Sequence, residues 1–212
     1  MKKIIILLFL FLLPILCYLI YSVTETKEKY ILAIGDEIAN VVELSSNENI
    51  KYNNDFINED YRISDISNIL KYNKEITKDN KTISIHMLLK KADILIISIG
   101  MNDIYYKLND DIKNIYTYIN NMLEAYEGVL DEISKYDYQN VYILGYYNIT
   151  NDNDDLFVYT NYKLKNIAKK YGYKYIELNN ILNNNQKYYK KINDFELNKA
   201  GYEQILKLIV EK

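Results

Sequence analysis

Two hydrophobic rhythms alternate along the chain after its first thirty residues. Short, nearly continuous apolar runs at 30–34, 93–99, 141–144 and 174–178 are rich in β-branched and aromatic side chains. Such runs predict strands buried on both faces, as in a parallel sheet. Between them, apolar residues recur at three- and four-residue spacing. The clearest stripe runs through 111–136, where Ile112, Ile115, Ile119, Met122, Leu123, Tyr126, Leu130 and Ile133 share one helical face. Shorter stripes predict helices over 64–76, 83–91, 161–171 and 198–210, with Asn198 as N-cap of the last. The segment 151–155, NDNDD, predicts a loop. Alternating strands and helices imply an α/β doubly wound domain. In such folds ligands gather beyond the carboxyl ends of the strands.

A different pattern opens the chain. Lys2 and Lys3 precede an unbroken apolar run over residues 4–20, extended by Tyr21. That length is near the roughly 17–25 residues that span a hydrocarbon core. The flank Tyr21-Ser22-Val23-Thr24 lacks the small residues of a signal-peptide cleavage site. The expectation is a single-pass signal anchor over 1–22, a tether over 23–29 and one domain over 30–212. The lysines belong on the cytoplasmic side, which puts the C-terminal domain on the extracytoplasmic face of the cell membrane. Cys17, the only cysteine, lies in the apolar run, after a Leu16 too bulky for a lipoprotein signal. One cysteine forms no intrachain disulfide and excludes a cysteine-rich metal site.

Composition narrows the picture further. A hydrophobic content of 49% excludes disorder. The net charge of -3 leaves no basic surplus to neutralise phosphates, so no nucleic-acid partner is expected. Tyr 24 against Trp 0, with abundant Ile, Lys and Asn, suits an AT-rich coding sequence, and most tyrosines are read as packing. No cofactor is expected.

The candidate chemistry lies where two strands break. The stretch ILAIGDEIAN, 31–40, stops being a strand at Gly35-Asp36 and delivers Glu37. A second strand ends in Gly100-Met101-Asn102-Asp103. Both breaks fall after strands, so the two loops can meet at one site.

These residues resemble the SGNH, or GDSL-type, lipases and esterases, over almost all of 30–212. AIGDE is similar to the first block, where the family has Gly-Asp-Ser. NDFINEDYRISDI resembles the second, which carries a Gly just before a Tyr-Arg-x-Ser/Thr-Asp pattern. LLKKADILIISIGMNDIYY is similar to the third, a strand followed by Gly-x-Asn-Asp, and VYILGYYNI looks like the fourth strand. NDFELNKAGYEQI is similar to the last block, Asp-x-x-His-x-Asn-x-x-Gly-Tyr. The resemblance implies a flavodoxin-like three-layer α/β/α sandwich with a parallel sheet. It also implies ester hydrolysis by a Ser-His-Asp triad with oxyanion donors from the backbone and an Asn.

Carried over position by position, the Ser falls on Glu37, the oxyanion Gly on Asp60 and the oxyanion Asn on Asn102. The triad Asp falls on Asn193 and the His on Glu196, with Gly35, Asp36, Gly100 and Asp103 in support. Of the hydrolytic set only Asn102 keeps the family's residue. Glu37 places an anion where the substrate's oxyanion must form, and Asp60 and Glu196 add negative charge. The expectation is a pseudoenzyme that binds a lipid, carbohydrate or acylated ligand without cleaving it. The alternative is altered chemistry on ester or acyl groups. In one version Glu37 attacks and Glu196 activates water. In the other, Asp36, Glu37, Asp103 and Glu196 gather a divalent cation. Crowding of these carboxylates is expected to raise the proton affinity of one of them. His86, the only imidazole, precedes the third block and reads as a partly exposed structural residue on a helix.

Overall fold

The computed structural model describes residues 28–44, 50–78, 80–108, 112–149, 152–183, 185–191 and 196–210. The anchor, most of the tether and Asn193 lie outside the described residues. Among the described residues no helix is long and apolar enough to cross a membrane.

Five strands form one parallel sheet: β1 (Lys29–Gly35), β2 (Ile50–Ile57), β5 (Ile94–Ser98), β6 (Asn140–Leu144) and β7 (Lys174–Ile176). Their spatial order is β2-β1-β5-β6-β7. Counting only these five in chain order, this is the 2-1-3-4-5 arrangement of flavodoxin-like folds. The order in which the chain adds strands reverses between β1 and β5, which pair in parallel from Ile31↔Ile94 to Gly35↔Ser98. Leu32, Ala33 and Ile34 are all fully buried, as are Leu95, Ile96 and Ile97. Successive strand residues face opposite sides, so both faces of the sheet are covered.

The helices are α1 (Ile63–Lys71), α2 (Ile85–Lys91), α3 (Met101–Lys107), α4 (Ile112–Ile133), α5 (Asp154–Lys170), α6 (Asn179–Leu182) and α7 (Lys199–Val210). A 3-10 segment, Glu37–Leu44, follows β1 directly. On α4 the stripe Ile115, Ile119, Met122, Leu123, Tyr126, Leu130 and Ile133 is buried, as its spacing predicts. Helix α4 packs on α1 and α5, whereas α7 packs on the 3-10 segment. The Asn198 cap is present, with its Oδ1 accepting from Gly201 N at 3.2 Å.

Three expectations are corrected. The helix expected over 64–76 stops at Lys71, because Asn73 adopts a left-handed φ of 45° and closes the end. Lys74 N donates to Ile69 O and Asn73 N to Leu70 O, the paired bonds of a Schellman cap. The chain then forms an antiparallel hairpin, β3 (Glu75–Lys78) and β4 (Lys81–Ser84), so α2 starts at Ile85, two residues later than expected. Helix α5 starts at Asp154, seven residues before the expected 161, since Asn148 Nδ2 bonds Asp152 O and Asp154 Oδ1 at 2.6 Å each.

Candidate active site at the switch point

The site begins with a close approach that only glycine permits. Gly35 has φ 123°, and a Cβ there would lie 1.7 Å from Ser98 O. Asp36 N donates to the same carbonyl at 2.7 Å, binding the end of β1 to that of β5. Gly100 has φ 101° and caps α3, with Tyr146 Oη where its Cβ would be. Asn102 and Asp103 therefore project from the first turn of α3, beside β1.

The Asp36 side chain is turned inward and is 3% exposed. Its Oδ1 accepts from Ser98 Oγ and from Ile38 N at 3.2 Å, while its Oδ2 is buried with no hydrogen bond. Burial pushes its pKa up to about 7; the Ser98 and Ile38 bonds pull the other way. Repulsion from Glu37 and Asp103 adds only a smaller push. A carboxyl with raised proton affinity is thus found, but the main cause is desolvation, not the crowding expected from the sequence.

Asp103 is also occupied internally. Its Oδ2 accepts from Ile63 N at 3.0 Å, capping α1, and its Oδ1 from Tyr118 Oη at 3.4 Å. Burial raises its pKa, against the pull of those bonds and of Arg62.

Glu37 is the first residue of the 3-10 segment, just past the end of β1, and one of its carboxylate oxygens is enclosed. Tyr202 Oη donates to the Glu37 backbone carbonyl at 3.4 Å. Burial raises the Tyr202 phenol first, and the carboxylates of Glu37, Asp36 and Glu196 raise it further. Glu196 forms an ion pair with Lys190, beside the bridge between Tyr189 and Leu197.

The positions expected to offer oxyanion donors are engaged. Asn102 Nδ2 donates to Glu59 O at 2.6 Å and Tyr61 O at 2.9 Å, which uses both its hydrogens. Asp60 lies on an exposed turn, and its N–H donates to Asn58 Oδ1 at 2.9 Å. Beside them opens a groove of about 590 Å³ lined by Asp60, Arg62, Ser64, Asp65, Asn102 and Tyr106. Arg62, the chain's only arginine, lies 4.2 Å over the Tyr106 ring.

The four-carboxylate cation site is not formed. Among the described residues no group of three or more His, Cys, Asp or Glu is placed to hold a metal ion. Asp36 and Asp103 face backbone amides and hydroxyls, and Glu196 faces Lys190. His86 sits on α2, away from these strand ends. Its Nε2 donates to Leu70 O at 2.8 Å, so Nδ1 accepts from Tyr136 Oη at 2.7 Å.

Ser98, Tyr118, Tyr202 and Arg62 were not singled out from the sequence. Ser98 ends a strand just before Gly100, and Tyr202 closes the Gly-Tyr pair of the last block, so both had a positional signal. Arg62 lies in the Tyr-Arg-x-Ser/Thr-Asp pattern of the second block, whereas Tyr118 had no signal beyond aromaticity.

The chain matches no protein-family model and no curated protein. Solved structures do match. A catalytic mutant of the acetylxylan esterase Axe2 from Geobacillus stearothermophilus superposes with a TM-score of 0.63 at 13% identity, over 87% of this chain and 94% of that one. The lipase Lip_vut3 from a goat rumen metagenome gives 0.63 at 16% identity, over 86% and 96%. A member of the lipolytic G-D-S-L family from Veillonella parvula DSM 2008 gives 0.54 at 17%, over 86% and 97%. The chain has an SGNH/GDSL hydrolase fold. Catalytic mutants of the Geobacillus enzyme replace a serine, an aspartate and a histidine. On the SGNH/GDSL fold of this chain, the strand end carries Glu37, and the single histidine is tied to Leu70 and Tyr136 instead.

Proposed function

We propose that this chain is a membrane-anchored, extracytoplasmic SGNH/GDSL-fold protein that binds a ligand and does not hydrolyse it. Its anchor occupies 1–22, its tether 23–29, and its three-layer α/β/α binding domain 30–212. The ligand is a lipid, a carbohydrate or an acylated molecule, and the acetylxylan esterase likeness favours an acylated carbohydrate.

One observation carries the reading: the groups that a serine hydrolase needs free are replaced or engaged. Glu37 offers a carboxylate in place of a hydroxyl, and both Asn102 amide hydrogens are held by Glu59 O and Tyr61 O. The Asp60 amide is held by Asn58. Loss of one oxyanion donor alone costs around 10²–10³ in rate. A carboxylate nucleophile at Glu37 would have to build up a negative oxyanion beside its own acidic neighbours, with no imidazole to move protons. The groove flanking Asn102, with Arg62 and Tyr106 on its wall, supplies the space for a ligand.

The test is restoration. Glu37→Ser, Asp60→Gly, Asn193→Asp and Glu196→His are introduced together, and turnover of p-nitrophenyl acetate is compared with the wild type. Turnover gained by the fourfold variant over a silent wild type supports a site that lost only its reactive groups. Turnover by the wild type contradicts the reading.

A further inference from the structure

All five parallel strands enter the sheet from one end, and the tether delivers the chain to that end. β1 begins at Lys29, so only the seven residues over 23–29 join the sheet to the apolar segment. Seven residues reach at most about 25 Å when fully extended. With the anchor of the proposed function in a bilayer, the strand-entry end is therefore held close to the lipid surface. This step rests on the anchor reading and on nothing about Glu37.

The residues at that end suit an anionic bilayer. Helices α1, α2 and α5 finish there, and their last turns carry Lys71, Lys90, Lys91, Lys169 and Lys170. Several acids at this end are already engaged. Glu28, Glu127 and Glu132 pair with Lys51, Lys170 and Lys135, and Asp93 accepts from Tyr30 N at 3.0 Å. Among the described residues Lys29, Lys90, Lys91 and Lys169 take part in no ion pair, so lysine charge is in excess. Lys71 lies 5.2 Å from the centre of the Tyr72 ring, and Lys91 4.3 Å from that of Tyr30. Tyr72 is 70% exposed and Met87 62%. The bond from His86 N to Asn73 Oδ1 at 3.2 Å holds their two backbone segments side by side.

We infer that the strand-entry end rests on the anionic lipid surface of the anchoring membrane, with Tyr72 and Met87 entering the headgroup layer. Lysine and tyrosine each join an apolar body to a polar tip, the form that settles at a lipid–water interface. Each lysine near an anionic leaflet is worth about 5-fold in the ratio of docked to undocked domain. The five residues of β5 lift the Glu37 end about 16 Å further from the lipid. The candidate site thus opens away from the bilayer, toward ligands dissolved or displayed outside it.

The test uses the full chain with Cys17→Ser, reconstituted in vesicles of phosphatidylglycerol and phosphatidylcholine. A fluorophore is placed on Met87→Cys, or on Asn180→Cys, which is exposed beyond the carboxyl end of β7. Lipid spin-labelled at its headgroup serves as quencher. Strong quenching at position 87 and none at position 180 is expected. The quenching at 87 is expected to fall in phosphatidylcholine alone, and also in Lys90→Gln with Lys91→Gln, both exposed positions. Extraction of the chain by alkaline carbonate overturns the anchor reading and the inference with it. A chain retained in the bilayer but quenched equally at both positions, or not at all at 87, overturns the inference alone. So does quenching at 87 that neither the lipid change nor the lysine variant lowers.

Discussion

Asp36 is a carboxyl whose proton affinity changes on folding. Its pKa is about 7 in the folded chain, against about 3.9 when unfolded. Between those values the folded state holds a proton that the unfolded state has released. Stability from this group is therefore greatest at low pH and falls as pH rises through that window, by an amount on the order of a few kcal/mol. Asp36→Asn removes the titration and keeps an Oδ1 for Ser98 and Ile38. It is expected to shrink the Tm difference between pH 5 and pH 8; an unchanged difference in thermal melts contradicts the assignment. The sequence pointed to Asp36 but not to the cause of its shift. Charge crowding can be read from neighbouring letters, whereas desolvation depends on how Ser98 and β5 close over the side chain.

At the scale of elements, Asn102 is a tie between α3 and the turn leading into α1. Its amide holds Glu59 O and Tyr61 O, while Asp103 next to it holds Ile63 N. Asn102→Ala is expected to lower stability by about 1–3 kcal/mol, read by urea melts, and to speed proteolysis within 58–62. An Asn kept for oxyanion binding alone would leave both unchanged. The central strands and the α4 stripe were legible because burial on both faces, or on one helical face, leaves a strong period. Edge strand β2 was not: its IKYNNDFI has Asn53, Asn54 and Asp55 at half-buried positions and little apolar run. The β3–β4 hairpin was hidden for a related reason, as the four-residue strand KTIS has its first two residues exposed. The first half of α5 was hidden by Asn and Asp residues that signal a loop but here lead into its first turn, tied by Asn148 to Asp152 O and Asp154 Oδ1.

At the scale of the molecule, five sequence blocks in order were enough to foresee an α/β fold with a parallel sheet, and the breaks after β1 and β5 to foresee that their two loops meet. That Glu37 stands just past the end of β1 and Asn102 just past the end of β5 was legible too. That the amides of Asp60 and Asn102 are turned to carbonyl and side-chain oxygens within the chain was not, since hydrogen-bond partners lie in other elements. Nor was the failure of four acids to form a cation cage, which follows from Asp36 and Asp103 facing inward. The account rests on Glu37 being unable to act as a nucleophile. Steady-state hydrolysis of p-nitrophenyl acetate by the purified wild type, set beside Glu37→Ala, tests that most directly. Equal rates, both at the buffer background, are expected. Protein-dependent turnover that disappears in Glu37→Ala would contradict it.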